Sequence, residues 1–281
     1  MIKLLYKPSG VSSFKFIKQF AKENFVNKIG HTGTLDPLAC GLIMIATDED
    51  TKLIPYLDKG KKTYVTKVKF GYISDTFDSE GDIKVFENAK LVNLELLNQK
   101  LIELCSKTSQ LPPIFSAKKI GGKKAYELAR SNHSVNLKPV QIQIFQWSIL
   151  DWNLNQQEAL ISFEVSRGTY IRSLVHDLGQ LLNSGAIMTG LERIKLAGMD
   201  KTFIEKDINP LDLIQLPYLK LSKLELVNLF NGKQIKREDQ EQEVLLIYCK
   251  KIVGIGKIKN NLIITDKLFG NVINKLLGSN E

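Results

Sequence analysis

At 281 residues, 43 % hydrophobic and 25 % charged, the chain is expected to form one large globular domain, or one domain with a smaller companion. No run approaches the roughly 20 apolar residues of a membrane span, and "MIKLLYKPSG" breaks at Pro8 and Gly10 too soon for a secretory signal. Cys40, Cys105 and Cys249 match no disulfide framework or metal spacing, so free thiols in a cytoplasmic chain are expected.

The net charge of +9 suits either a polyanionic partner or a merely lysine-rich surface. Residues 1–35 hold six lysines against one acid, and residues 115–138 hold five lysines and Arg130 against Glu127. "SSFKFIKQFAKENF" predicts a helix capped by a serine, with apolar positions 14, 17, 20 and 21. "LACGLIMIA" predicts a buried strand and "DEDTKLIPYL" a short helix with acids in its first turn. "KTYVTKVKFG" alternates, placing Tyr64, Thr66, Val68 and Phe70 on one face of a strand. Residues 91–105 have helical periodicity; "QIQIFQW" and "ALISFEV" predict two more strands. A helix begins near Ile171, with Thr169 expected as its cap, and carries Arg172 in its first turn and His176 one turn on. Pro210 and Pro217 punctuate a boundary near 208–222. Beyond it lie a short helical segment and strand candidates at 244–248, 252–258 and 262–265. This mixture without strict alternation predicts an α+β fold with a largely antiparallel sheet.

Chemistry is sought first by elimination. "IGGKKAYE" is not a phosphate loop, because Ala117 and Lys124 stand where such a loop needs glycine and Ser/Thr. His31, His133 and His176 lie too far apart to suggest zinc. If the chain is an enzyme, one without metal or organic cofactor is expected, with a carboxylate as its natural nucleophile or base. In "GHTGTLDPLACGL" Asp36 sits between polar residues, two glycines and an abrupt apolar run. An Asp-Pro pair often only starts a turn, but here the acid is set at the edge of a buried strand, which suits a nucleophile. The chain has five arginines, and Arg167, Arg172 and Arg193 fall within 27 residues. Arginine among so many lysines suggests sites that need a planar fork, and Arg172 is the candidate. Tyr64 and Tyr170 suit either core filling or base stacking. His176 reads as structural.

"GHTGTLDPLACGL" is similar to the catalytic-aspartate motif of the bacterial tRNA pseudouridine-55 synthase family, TruB. "LLYKPSGVSS", "KTYVTKVKFGYISDTFDSEG", "QLPPIFSAKKIGGKKAYELAR", "SRGTYIRSLVHDLG" and "GLERIKLAG" resemble further segments of that family, in order, from residue 2 to about 200. The resemblance implies a pseudouridine synthase fold over 1–215, with a mixed, mainly antiparallel sheet flanked by helices and an RNA-embracing insertion around 105–140. A small β-rich PUA-like RNA-binding domain is implied over 216–281. The implied activity is isomerisation of uridine-55 in the T-arm of tRNA, without metal, organic cofactor or guide RNA, by a monomer. Asp36 would be the nucleophile, Arg172 its charged partner, and Tyr64 the face under the flipped base. His31, Tyr170 and Leu191 would contact the uridine, and Lys118, Lys119, Lys123 and Lys124 would meet RNA phosphate. Tyr6, Ser74, Gly190 and Glu192 depart from the family pattern. Three rival readings are a guide-RNA-dependent pseudouridine synthase, a non-catalytic RNA-binding or tRNA-folding protein, and a lysine-rich protein of unrelated function.

Overall fold

The computed structural model describes residues 1–57, 60–115, 119–120, 123–124 and 137–278. In chain order these form β1 (Ile2–Lys7), α1 (Ser13–Glu23), β2 (Ile29–Thr32), β3 (Cys40–Thr47), a 3₁₀ turn (Asp48–Leu53) running into α2 (Ile54–Leu57), and β4 (Lys62–Phe70). Then come β5 (Tyr72–Ser74), β6 (Ile83–Val85), α3 (Leu94–Cys105), β7 (Ser109–Gln110), β8 (Lys119–Ile120), β9 (Lys123–Lys124) and β10 (Val140–Gln141). β11 (Ile144–Asn153), β12 (Glu158–Val165), α4 (Ile171–Leu181) and β13 (Ala186–Leu196) complete the larger part. The remainder comprises β14 (Tyr218–Lys220), α5 (Lys223–Phe230), β15 (Ile235–Lys236), β16 (Gln242–Tyr248), β17 (Lys251–Lys259), β18 (Leu262–Leu268) and α6 (Gly270–Gly278).

A seven-stranded sheet runs β1-β3-β13-β4-β12-β11, with β2 also paired to β3. Its pairings are antiparallel except for the β13–β3 contact, so the mixed, mainly antiparallel α+β architecture holds. β13, which hydropathy alone did not mark as a strand, occupies the middle of this sheet. On the edge of β3 opposite β1, β13 pairs only at Cys40 and Gly41, while β2 pairs from Met44 to Thr47. β2 and β13 part there, and the chain between β2 and β3 carries Asp36.

The alternation read in β4 is real: Tyr64, Thr66, Val68 and Phe70 are all buried. A row of directly paired residues, Gly41, Arg193, Tyr64 and Phe163, crosses β3, β13, β4 and β12 and therefore lies on one face. Gly41 has φ +109, and a Cβ there would lie 2.4 Å from the Arg193 carbonyl oxygen, so only glycine lets β13 close on β3. On the face of this row, α3 and α4 pack over β4, β12 and β13, and α1 packs over Ile43 and Ile45 of β3. The other face, with Ile2, Leu4, Leu42 and Met44, meets Leu245, Ile247, Ile255 and Phe269 of the C-terminal part. That part forms a five-stranded sheet, β14-β16-β17-β18-β15, over its own core of Leu226, Leu246, Val253 and Ile273.

Two local expectations change. Phe14, counted with the apolar face of α1, is 65 % exposed, because Ser13, Ile17 and Ala21 supply the buried stripe. Thr169 does not cap α4; Tyr170 is the N-cap and no side-chain oxygen caps the helix. The Thr169 hydroxyl instead sits 3.3 Å from that of Ser166.

Candidate active site

The loop bearing Asp36 is clamped by the segment that opens α1. The Ser13 hydroxyl donates to the Leu35 carbonyl (2.8 Å) and accepts from the Leu35 N–H (2.9 Å). The Ser9 hydroxyl donates to the Leu38 carbonyl (2.7 Å), and the Gly10 N–H donates to the Pro37 carbonyl (2.8 Å). Lys7 is fully buried, and its ammonium donates to the carbonyls of Pro8 and Val11 and, at 3.5 Å, of Pro37. Burial lowers the pKa of Lys7; carbonyls supply what water would have given it. "KPSG" thus holds the aspartate loop in place.

Arg172 projects from the first turn of α4 and grips Asp36 with two prongs: Nε to Oδ2 at 3.0 Å and Nη2 to Oδ1 at 3.1 Å. The geometry is the fork-to-carboxylate pair that arginine alone supplies. The guanidinium is itself held. Nη1 donates to the Thr76 carbonyl (3.1 Å) and lies 3.4 Å from Asp78 Oδ2, while Nη2 donates to the Phe115 carbonyl (3.0 Å). Asp78 is buried and receives the Thr76 hydroxyl (2.6 Å) and the Glu80 N–H (3.0 Å). One arginine therefore serves two carboxylates, and only that of Asp36 is substantially exposed, at 34 %. Burial raises the Asp36 pKa, Arg172 pulls it down, and the Asp78 charge pushes it up again; the balance lies above the ordinary aspartate value.

Asp36 and Arg172 open on a pocket of about 330 Å³, lined also by Tyr64, Tyr170, Leu191 and Arg193, with Lys62 and Arg167. Tyr64 is 7 % exposed, beneath the buried Arg193. Arg193 donates to the carbonyls of Leu42 (2.6 Å) and Gly33 (2.9 Å), and its Nη1 lies 3.5 Å from the Tyr64 hydroxyl. Arg193 thereby ties β13, β3 and the aspartate loop together where β2 and β13 part.

The structure brings Asp36, Arg172, Tyr64, Tyr170 and Leu191 together around one pocket. His31 is outside its lining, with Nε2 3.2 Å from the hydroxyl of Thr34, a lining residue. Burial lowers the His31 pKa and favours the neutral ring. His176 stacks on Phe77 with ring centroids 4.0 Å apart, in keeping with its structural reading. Lys119 lies in β8, and Lys123 and Lys124 in β9, the two strands forming an antiparallel ribbon. Lys118 falls outside the described residues. Among the described residues no group of three or more His, Cys, Asp or Glu side chains is placed to hold a metal ion.

Sequence reasoning missed Asp78, Gln110 and the joining role of Arg193. Asp78 lies in the acidic "SDTFDSEG" loop, but three acids there gave no sign of which one turns inward. Gln110 is 3 % exposed; its amide accepts from the Tyr170 N–H (2.8 Å) and donates to the Tyr170 carbonyl (3.0 Å). It fixes the backbone of Tyr170, the residue at which α4 starts, although it is no substitute for a side-chain cap.

Comparison with known proteins gives the family and the fold. The family TruB family pseudouridylate synthase (N terminal domain) matches residues 19–171. The tRNA pseudouridine synthase B of Mesomycoplasma hyopneumoniae (strain 232) is 44 % identical over 99 % of this chain and 86 % of its own. That of Aquifex aeolicus (strain VF5) is 34 % identical over 94 % of this chain and 98 % of its own. Among solved structures, a chain of "Crystal Structure of a Cbf5-Nop10-Gar1 Complex" superposes with a TM-score of 0.63 at 22 % identity, covering 95 % of this chain and 84 % of that one, which shows the shared fold. With this identity over nearly its whole length, and a family match over residues 19–171, the chain belongs to the TruB family of pseudouridylate synthases.

Proposed function

We propose that the protein isomerises uridine-55 in the T-arm of tRNA to pseudouridine, with Asp36 as nucleophile, needing neither guide RNA nor cofactor, as a monomer in the bacterial cytoplasm. Membership of the family, and the name tRNA pseudouridine synthase B borne by relatives of matching length, make it a tRNA pseudouridine synthase. The observation that carries the finer reading is the two-pronged Asp36–Arg172 pair on the wall of a pocket bounded by Tyr64 and Leu191.

A uracil stacked inside an RNA loop must be turned out before its glycosidic bond is reachable, at a cost of a few kcal/mol. Tyr64 offers a flat face and Leu191 an apolar wall for the extruded ring. The bond from C1′ to N1 breaks, the ring turns within the pocket, and a bond from C1′ to C5 forms. C5 loses its proton and N1 gains one, so the product is an isomer. A carboxylate fixed by a guanidinium fork reaches the reacting atoms without reorganising, which is where a preorganised site gains its advantage. The five-stranded C-terminal sheet is assigned as a PUA-like RNA-binding domain, and the lysine-rich segment containing Lys118, Lys119, Lys123 and Lys124 as an RNA contact.

Tritium release from a T-arm RNA carrying 5-tritiated uridine tests the reading with no added guide or cofactor. Release by the wild type, abolished in Asp36→Asn with RNA affinity largely kept, is expected, since lysines rather than Asp36 would hold phosphates. No release from the wild type, with RNA bound, would overturn the reading in favour of a binding protein.

A further inference from the structure

We infer that the outer stripe of α1, with Lys15, Lys18 and Lys22, is a phosphate-docking rail that holds substrate RNA along one flank of the pocket. The inference rests on the proposed RNA substrate and adds to it a surface outside the insertion and the C-terminal sheet.

Three observations carry it. The first is position. Pairing across the sheet puts Ile43 and Ile45, on which α1 packs, on the same face as Arg193 and Tyr64. α4 covers that face on the far side of the pocket, so α1 and α4 flank the pocket on one side of the sheet and the C-terminal sheet lies behind it. α1 also touches the pocket loop directly, through Ser13 and Leu35.

The second is charge without local purpose. Lys61 meets Glu164 at 2.7 Å, Lys67 meets Glu158 at 2.8 Å and Lys100 meets Glu103 at 2.7 Å. By contrast, Lys15, Lys18, Lys22 and the following Lys28 are exposed and have no carboxylate partner among the described residues. The one acid of the first 35 residues, Glu23, accepts from the Gln19 amide instead (2.9 Å). A row of unanswered lysines repels itself and is favourable only toward a polyanion.

The third is spacing. Positions 15, 18 and 22 fall on one stripe of the helix and span about 10 Å along it, comparable to the rise over four successive phosphates on one duplex strand. Phe14, exposed and lying 5.6 Å under the Lys18 ammonium, extends the stripe toward the loop with an aromatic face of the kind bases and ribose pack on. The apolar side of α1 is packed against the core through Ile17, which leaves Phe14 as the one large exposed apolar side chain of this helix to meet a lipid surface.

The test is the salt dependence of T-arm RNA binding by the full-length chain. Each phosphate-bound lysine contributes about 0.7–0.9 to the slope of log Kobs against log[salt]. The triple variant Lys15→Gln, Lys18→Gln, Lys22→Gln is expected to flatten the slope by about 2 to 3. Its single-turnover rate at saturating RNA should stay at the wild-type value, since none of the three lines the pocket; that rate also verifies folding. The double variant Lys84→Gln, Lys100→Gln, which removes lysines paired to acids, should leave the slope within error. An unchanged slope in the triple variant would overturn the rail, as would an equal loss per lysine in the double variant, or lysine-dependent binding to anionic vesicles with RNA binding untouched. A wild type that binds T-arm RNA but releases no tritium strikes the proposed reaction alone, whereas normal turnover with an unchanged slope strikes the rail alone.

Discussion

Asp36 is pulled two ways, by burial among protein atoms that disfavours its charge and by a guanidinium fork that favours it, with the balance above the ordinary aspartate value. A nucleophile must be ionised, so the single-turnover rate should rise with pH through a value higher than that of a free aspartate and level off above it. Arg172 is the largest downward influence; Arg172→Lys keeps a charge but loses the fork, and should both slow the reaction and move this limb to higher pH. A near-normal rate with an unmoved limb would show that Arg172 is not the partner of Asp36. Asp78 acts through Arg172. Asp78→Asn should leave RNA affinity intact and lower the single-turnover rate by about 10²-fold, the scale of a 1 Å misplacement; an unchanged rate would mean that Thr76 and Phe115 suffice to hold the fork. The departures at Tyr6 and Glu192 meet each other, since the Tyr6 hydroxyl donates to Glu192 at 3.0 Å. Two substitutions that look unrelated in sequence form one contact across β3.

Among the elements, α4 depends on the segment 110–115. Gln110 pairs with both backbone groups of Tyr170, the Ser173 hydroxyl donates to the Leu111 carbonyl (2.9 Å), and the Phe115 carbonyl receives Arg172. Gln110→Ala leaves the half-buried Tyr170 N–H without its partner, while the Tyr170 carbonyl keeps the Leu174 N–H (3.2 Å), and should cost about 1–3 kcal/mol, read by urea unfolding, together with a slower single-turnover rate. Gln110→Glu keeps the acceptor and should recover part of the rate. Equal rates in all three proteins would show that α4 is set by its core packing alone. α1 was legible because its serine cap and helical spacing are local, and the structure does place Ser12 as the acceptor for the Lys15 N–H at 3.2 Å. β13 was not legible. "AIMTGLERIKL" mixes polar and apolar positions because its neighbours change along its length and two register shifts break the alternation.

For the whole molecule, the C-terminal sheet is less separable than the proline-marked boundary near 208–222 suggests. Leu245, Ile247, Ile255 and Phe269 share a core with Ile2, Leu4, Leu42 and Met44. A fragment of residues 1–215 would expose this apolar surface to water and should be insoluble or lack a cooperative transition; a soluble, active fragment would refute the shared core as a requirement. The sequence by itself singled out the residues proposed for the chemistry. Asp36 and Arg172 were legible because each stands out against its own neighbours, an acid before a buried strand and an arginine in a lysine-rich chain, while Tyr64 on its alternating strand was singled out only by the family resemblance. It also determined the α+β class, because hydrophobic period is a property of consecutive residues. Only the tertiary structure decided that Asp36 and Arg172, 136 positions apart in the chain, form one ion pair. It alone showed that Asp78 and Gln110 support that pair, and that α1 lies on the pocket's side of the sheet. Those facts depend on strand pairing and on which buried groups find partners, and neither is encoded in any short stretch of chain.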